Sequence, residues 1–524
     1  MPAVRHINLL IHVARLLVIT GKTLTLLTAL MMGIGSLLWG YDSGIFGTAQ
    51  AQVYFTEQFK TNAQTLGAVV STYPAGGAVG CLLSMPIGNY FGRRNTIRIG
   101  AVVSIIGTTF QTAAFNVPLL IVGRIIAGLA IGIIYFAIPM YMSELAPAEH
   151  RGLFVGLHAQ FIGFGYALSN WIGFAVYFSS GAFTVNIPSL ISCISADWPQ
   201  FRFPVGLQIV LGVILLACAF YIPESPRWLI EEGKMESALA LMRRLRREGT
   251  SDELVHKEFT QMRDQITWEK ENELSSLMGI LRKPSYSKRL LLGCFSHIGQ
   301  QISGISAINY YQTVMYRSLG IQGVTVLALA GVWGITGPLA NIFCLMFIID
   351  RFNRRVVLMT GSLAMAADIA IVMAFVAVYG GGTNVAANGI GIFFLISFGI
   401  IFSLSWNSGT PLYCTEIFPT QIRATGGAIA TFCSFVIQVV LAQASPSALQ
   451  NIGWRYYFVF IVCNLVTAAI VYFFLPETRG KTLEEISEVF GDVFVAVHMN
   501  EPLKVELTEN VTVAEHTEDI TPKV

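Results

Sequence analysis

The stretch NYFGRRNTIRIG, residues 89 to 100, returns in the second half of the chain as DRFNRRVVLMTG, residues 350 to 361. Two further pairs follow in the same order: SELAPAEHRG (143 to 152) with TEIFPTQIRATG (415 to 426), and PESPRWL (223 to 229) with PETRGKTL (476 to 483). Self-similarity at so long a period means that one structural unit occurs twice. What the unit is made of follows from the residues between the matched pieces.

Those residues are apolar. Of 524 residues, 54% are hydrophobic and only 12% charged, and the mean hydropathy is +0.62, far above the soluble average. Runs of about 20 apolar residues, the length a helix needs to cross a bilayer, recur between short polar loops. Twelve such spans are predicted, at 24–47, 66–87, 95–115, 118–141, 152–178, 201–222, 290–316, 322–349, 356–378, 388–414, 424–443 and 454–475. The first is too long for the core of a signal peptide and lacks a small-residue cleavage site, so it is read as a retained span. The expected fold is an all-α membrane protein of twelve transmembrane helices in two pseudo-symmetric six-helix bundles. Its divisions are an N-terminal segment (1–23), a first bundle (24–222), a charged, partly helical linker (223–289), a second bundle (290–475) and a tail (476–524). Two similar bundles flanking a central site are the architecture of transporters that rock between two states.

Arg93, Arg94, Arg98, Arg151, Arg351, Arg354, Arg355 and Arg423 all fall in loops of one parity, with the basic residues of the N-terminal segment. By the excess of Lys and Arg in cytoplasmic loops, those loops and both termini are expected in the cytoplasm. The net charge of +2 gives no reason to expect a nucleic-acid partner. Seven of the eight cysteines fall in or beside spans, and no disulfide framework or metal pattern is visible. The sequon Asn510-Val511-Thr512 lies in the acidic, Thr-rich tail, on the cytoplasmic side, where it should stay unused. No nucleotide loop, metal cluster or nucleophile triad points to an enzyme, and no cofactor is implied. One residue stands out: Asp42 interrupts the first span, and an acid within a span costs several kcal/mol unless it faces protein or water.

The chain resembles the sugar porter family of the major facilitator superfamily, and its fungal members most of all. The resemblance runs from Leu24 to Glu485. It is carried by GYDSG (40–44), GRIIAGLAIG (123–132), PMYMSELAPAEHRG (139–152), PESPRWL, QQISGISAINYY (300–311), EIFPTQIRATG (416–426) and PETRGKTLEE (476–485). It implies alternating-access transport of a monosaccharide or related polyol, with a proton or by facilitated diffusion. A uniporter, a carrier of a polyol, cyclitol or disaccharide, and a nutrient sensor on the same fold stay open. The plasma membrane is the expected location, and one chain contains a whole carrier.

The resemblance also assigns residues. Arg124, the only strongly basic residue of the fourth span, pairs with the acid of GYD in proton-coupled relatives, so Asp42 and Arg124 are the expected proton site. Arg93, Arg94, Glu144, Arg151, Glu224, Arg227, Arg354, Arg355, Glu416 and Arg423 form a cytoplasmic gate, expected to bridge the halves only while their inner ends touch. A neutral polyhydroxylated solute needs groups that donate and accept together, plus aromatic faces. Gln160, Gln300, Gln301, Ser306, Asn309, Tyr310, Trp406 and Gln438 are the candidates. On an ideal helix Gln300 and Asn309 point to opposite faces, so the seventh span must break, and Gly304 is the place. The hexose pattern is altered: Ser306 stands where the family has Asn, Gln160 is one step late after Ala159, and Pro411 replaces a sugar-facing tryptophan. Asn89 and Asn353 depart from the gate pattern too. His158 reads as an interhelical contact.

Overall fold

The computed structural model describes residues 21–146, 151–178, 202–246, 251–271, 277–348, 351–380, 384–479, 486 and 489–490. Cys193, Asp350 and the sequon lie outside them, as do the acidic tail and most of the basic N-terminal segment.

The first half contains α1 (Gly21–Ala49), the short α2 (Val53–Phe59), α3 (Ala63–Phe91), α4 (Arg93–Thr112), α5 (Val117–Leu145), α6 (Arg151–Tyr177) and α7 (Arg202–Tyr221). The linker supplies α8 (Pro226–Glu231), α9 (Met235–Arg246), α10 (Asp252–Glu271) and α11 (Leu277–Arg282). The second half contains α12 (Pro284–Ile302), α13 (Ile305–Ser318), α14 (Val324–Phe343), α15 (Arg354–Tyr379), α16 (Val385–Phe402), α17 (Ser408–Ile417), α18 (Thr420–Asn451) and α19 (Tyr457–Phe474). α12 with α13 make the seventh span, and α16 with α17 the tenth, joined by a π turn at Ser403–Asn407.

Local chemistry explains where these helices begin. Asn62 and Thr65 form a reciprocal cap at α3, with Thr65 N donating to Asn62 Oδ1 over 2.8 Å and Asn62 N to Thr65 Oγ1 over 2.9 Å. Asn116 caps α5 in the same manner, 2.9 Å from Leu119 N, and Pro118 follows in the first turn. The break in the seventh span is at Gly304, whose φ of +106° suits glycine alone. Tyr311 (φ −123°, ψ 20°) bends α13 a second time.

In lipid no hydrophobic force drives helices together, so close backbone packing through small residues must do it. α3 and α5 cross through Gly76, Gly80, Gly128 and Gly132. A Cβ added at Gly128 would lie 2.1 Å from the Tyr73 carbonyl, and one at Gly80 2.1 Å from that of Leu129. α1 and α6 meet similarly, with Gly40 against the Ile162 carbonyl and Gly165 against that of Leu37. The first crossing fixes α3 against α5, and with them Tyr73 and Arg124, while Gly35 of α1 lies against Ile134 and Ile138 of α5 and so brings in Asp42.

Each half has its own core. Tyr286, Ile308, Met315, Leu358, Phe398, Tyr413 and Phe460 belong to one, and Met32, Leu38, Ile131, Ile138, Leu215 and Leu245 to the other. The halves join through smaller apolar groups, such as Val70 with Tyr310, Tyr311 and Ala442, and Ala78 and Cys81 with Ala428 and Phe435. Linker helices α8 to α10 bury Ile230, Met242, Val255 and Phe259 among themselves. Arg246 ties them to the first half, donating to the Leu145 carbonyl over 3.3 Å and pairing with Glu258 at 2.9 Å.

Candidate functional site

A cavity of about 160 Å³ lies between the halves, roughly ten times what a single water requires. Among the described residues no Asp, Glu, Lys or Arg lines it. Its second-half wall is built of amides. Gln301 Nε2 donates to Ser434 Oγ over 3.0 Å, and Ser306 Oγ to Gln301 Oε1 over 2.5 Å. Tyr310 OH donates to Gln438 Oε1 over 3.3 Å, and Gln300 Nε2 to the Trp406 carbonyl over 3.3 Å. Trp333 Nε1 donates to Asn309 Oδ1 over 3.0 Å. Asn341 is a hub: its Oδ1 accepts from Asn407 Nδ2 (3.3 Å) and Ser408 Oγ (2.5 Å), while its Nδ2 donates to Gln160 Oε1 (3.1 Å). The break at Gly304 lets Gln300 and Asn309 share this cavity.

Inside the first half, Arg124 Nη1 lies 3.0 Å from Asp42 Oδ1, with both side chains sealed at 0% and 1% exposure. The Phe46 and Tyr73 rings cover the guanidinium at 3.9 and 4.3 Å, a favourable cation–π arrangement. Neither member of the pair lines the cavity. Tyr310, which does, packs on α13 of the second half against Val70 of α3, the helix that also carries Tyr73 over Arg124.

At the loops carrying the repeated motif the two halves show the same clamp. Arg93 Nη2 is 3.1 Å from Glu144 Oε1, Ser225 Oγ donates to Glu144 Oε2 over 2.5 Å, and the Glu224 carboxylate caps α4 by accepting from Arg94 N over 3.0 Å. In the second half Arg354 Nη2 is 3.3 Å from Glu416 Oε1, Thr478 Oγ1 donates to Glu416 Oε2 over 2.5 Å, and Glu477 caps α15 by accepting from Arg354 N over 3.0 Å. A carboxylate at a helix N-terminus meets unpaired N–H groups and the positive end of the dipole.

At the opposite end hydrogen bonds cross between the halves. Gln50 Nε2 donates to the Tyr310 carbonyl, Thr313 Oγ1 to that of Gly47 (3.1 Å) and Arg317 Nη2 to that of Ala51 (3.0 Å). Ser71 Oγ donates to Gln443 Oε1 over 2.9 Å. This end of the molecule is closed.

Residues 28–490 match the family model described as "Sugar (and other) transporter". The chain belongs to this family. The transporter is 33% identical over 473 residues to the MFS-type transporter criB of Aspergillus cristatus, covering 90% of this chain and 94% of that one. It is 30% identical to the high-affinity glucose transporter of Kluyveromyces lactis, over 88% of this chain and 84% of that one. Among solved structures, the proton:xylose symporter XylE bound to 6-bromo-6-deoxy-D-glucose superposes with a TM-score of 0.73 at 23% identity, covering 90% of this chain and all of the other, a likeness that bears on the fold alone.

Against this geometry several expectations change. Trp406 does not face the cavity of the transporter. It is fully buried, and its indole N–H donates to Ser362 Oγ over 2.9 Å, packing α15 against the π turn. Gln160 is not on the wall either: its amide is spent on Asn341 and on the Pro338 carbonyl (3.4 Å), holding α6 to α14. The arginine–glutamate bridges described are not between halves. Arg93 and Glu144 belong to one bundle, Arg354 and Glu416 to the other, so neither pair needs the halves to touch. Arg227 likewise pairs locally, 3.5 Å from Glu231, which also meets Arg93 at 3.4 Å. Arg355 N reaches Glu477 over 3.1 Å, and Arg423 Nε donates to the Phe418 carbonyl over 3.2 Å. The Arg151 side chain lies outside the described residues. Gln300, Gln301, Ser306, Asn309, Tyr310 and Gln438 line the cavity as a set, joined by Asn341, Trp333, Trp39, Tyr135 and His158, which sequence reasoning did not select. Asp368 is buried on α15 beside Ser397, away from the cavity.

The clamps differ in burial, and that sets a graded expectation. Arg93 and Glu144 are 4% and 7% exposed, Arg354 and Glu416 10% and 22%. Taking one carboxylate from a buried cation costs more than taking one from an accessible cation, although Arg93 keeps Glu231 within reach. Glu144→Gln should therefore lower stability by about 2–3 kcal/mol and Glu416→Gln by about 1 kcal/mol. Melting midpoints of the purified variants in one detergent check the order; equal losses would mean that burial does not set the strength of these pairs.

Proposed function

We propose that this transporter moves a monosaccharide or related polyol into the cell across the plasma membrane by alternating access, together with a proton, and that it works as a monomer with both termini in the cytoplasm. The observation that carries the reading is the cavity itself: uncharged, rich in amides that donate and accept, and placed between two bundles with separate cores. Gln300, Gln301, Ser306, Asn309, Tyr310, Asn341 and Gln438 hold the solute's hydroxyls. A high-affinity glucose transporter among the similar proteins supports the same class of solute.

In this reading the closed end is the extracellular one, sealed by Gln50, Thr313 and Arg317. Asp42 takes the proton. Protonation weakens its hold on Arg124, and α3, which carries Tyr73 over the guanidinium and Val70 against Tyr310, passes the change to α13. The Arg93–Glu144 and Arg354–Glu416 clamps keep each bundle rigid while it rocks, and the bundles turn as bodies.

Uptake of a panel of labelled sugars and polyols into proteoliposomes, with and without an inward proton gradient, tests the reading. Gln301 stands between Ser434 and Ser306, so Gln301→Ala removes one hydroxyl partner and unsettles two more. KM for the best solute should rise about tenfold, the worth of one or two hydrogen bonds, with kcat changed less. Uptake that ignores the gradient would make the protein a uniporter. Uptake of no polyhydroxylated solute would remove the proposed class.

A further inference from the structure

The cavity wall is divided chemically. Its amides all come from the second half. Facing them, the first half contributes rings: Trp39 and Tyr135 with centroids 4.6 Å apart at 52°, and Tyr135 and His158 at 5.3 Å and 54°. Phe435 closes the group from α18, 5.9 Å from Tyr135 and nearly perpendicular to it at 75°. His158 is 7% exposed and pinned, its Nδ1 2.7 Å from Ser36 Oγ. Its Nε2 has no partner among the described residues, although the ring borders the cavity. Gln160, a first-half amide next to the lining residue Ala159, is occupied elsewhere.

A buried polar atom without a partner is costly, and such a group bordering a cavity is paired when a ligand supplies the missing atom. A bare hexose carries hydroxyls around its whole rim. One ring suits the apolar face of a bare hexose, but the hydroxyls directed at the rest of the cluster would lack the amides they need. A flat unsaturated group fits better, because tilted rings offer both faces and edges to it.

Resting on the reading of the cavity as a polyhydroxyl site, we propose that Trp39, Tyr135, His158 and Phe435 form an aryl subsite, and that the preferred solute is a sugar or polyol bearing an aromatic substituent. The substituent lies among the rings and exchanges a hydrogen bond with His158 Nε2, while the hydroxyls keep to Gln300, Gln301 and Gln438. His158 is then the residue that separates such solutes from bare sugars.

Ligand-dependent melting of the purified full-length protein with methyl β-glucoside and with phenyl β-glucoside tests this, followed by uptake of the labelled phenyl compound into proteoliposomes. The phenyl compound should bind about tenfold more tightly, the worth of one or two aromatic contacts, and be transported. A third probe, 4-hydroxyphenyl β-glucoside, carries the ring hydroxyl that the phenyl compound lacks and should bind more tightly still through His158 Nε2. His158→Phe should remove that gain, whereas Phe435→Leu should reduce the advantage of the phenyl compound without touching the imidazole. No added gain from the ring hydroxyl overturns the role of His158. Equal or weaker binding of the phenyl compound overturns the aryl subsite while leaving the sugar reading intact. Binding of the phenyl compound alone supports the subsite and removes the bare-sugar reading. Binding of neither overturns both.

Discussion

Asp42→Asn should abolish proton-driven accumulation and leave the carrier able only to equilibrate its solute. The carboxylate sits 3.0 Å from Arg124, sealed from solvent. An asparagine keeps the size and a hydrogen-bonding oxygen but cannot take up a proton. In proteoliposomes with an inward gradient, the internal solute should stop near the external concentration, whereas exchange of labelled for unlabelled solute continues. Accumulation that persists in the variant would make Asp42 a structural partner of Arg124 only. Removing the other member is a different experiment. Arg124→Ala leaves a buried carboxylate without its cation and strips the Phe46 and Tyr73 rings of the charge they cover. Breaking a buried pair from one side costs about 3–5 kcal/mol, enough to lower the yield of folded protein. Replacing both members together by apolar residues should recover much of that loss without restoring coupling, which separates the structural role of the pair from its role in transport.

Gly128→Val should be as damaging as any change in the cavity, far from any solute. Its Cβ would lie 2.1 Å from the Tyr73 carbonyl and 3.2 Å from the Gly76 Cα, and neither can yield unless α3 moves as a whole. Overpacking of this kind costs about 3 kcal/mol or more. Displacing α3 also carries the Tyr73 ring away from Arg124. The expected result is a lower melting midpoint and loss of coupling together. Gly389→Ala is the comparison: nothing lies within 4 Å of a Cβ there, so stability should not fall. Similar losses in both variants would mean that the crossing does not set the effect, since helix propensity favours either replacement over glycine.

The spans were legible because the bilayer demands long apolar runs, and each of the twelve runs holds an observed helix, while the short α2 and the linker helices α8 to α11 lie between them. The broken seventh span was legible for a sharper reason: two amides nine positions apart had to share a cavity, and Gly304 stood between them. The site was legible where polar residues cluster, on α12 and α13, and illegible where one polar side chain sits alone in an apolar run. Asn341 in GPLANIF is such a case, and only packing shows that it joins Gln160, Asn407 and Ser408. Trp406 was misjudged from the opposite direction. Its place beside a familiar motif suggested a role in binding, but Gly361 leaves room for α15 to approach the π turn, and Ser362 takes the indole N–H. The repeated loops named the charged residues of the clamps without showing who pairs with whom. Pairing depends on which helix ends share a bundle, and those lie far apart in sequence.

The duplication of the clamp, with one complete copy in each bundle, bears on covalent continuity. Glu224 and Ser225 finish the first copy before the linker helices begin, and Glu477 and Thr478 finish the second after the last span. Every tie described in a copy lies within its own side of the chain, and each bundle has its own core. A polypeptide cut at residues 272–276, between α10 and α11, would leave two pieces that each retain their bracing. Their reunion would rest on the surfaces of α3, α6, α14 and α18 and on the hydrogen bonds at the closed end, so co-expressed fragments are a direct measure of how strongly the bundles attract one another without a tether.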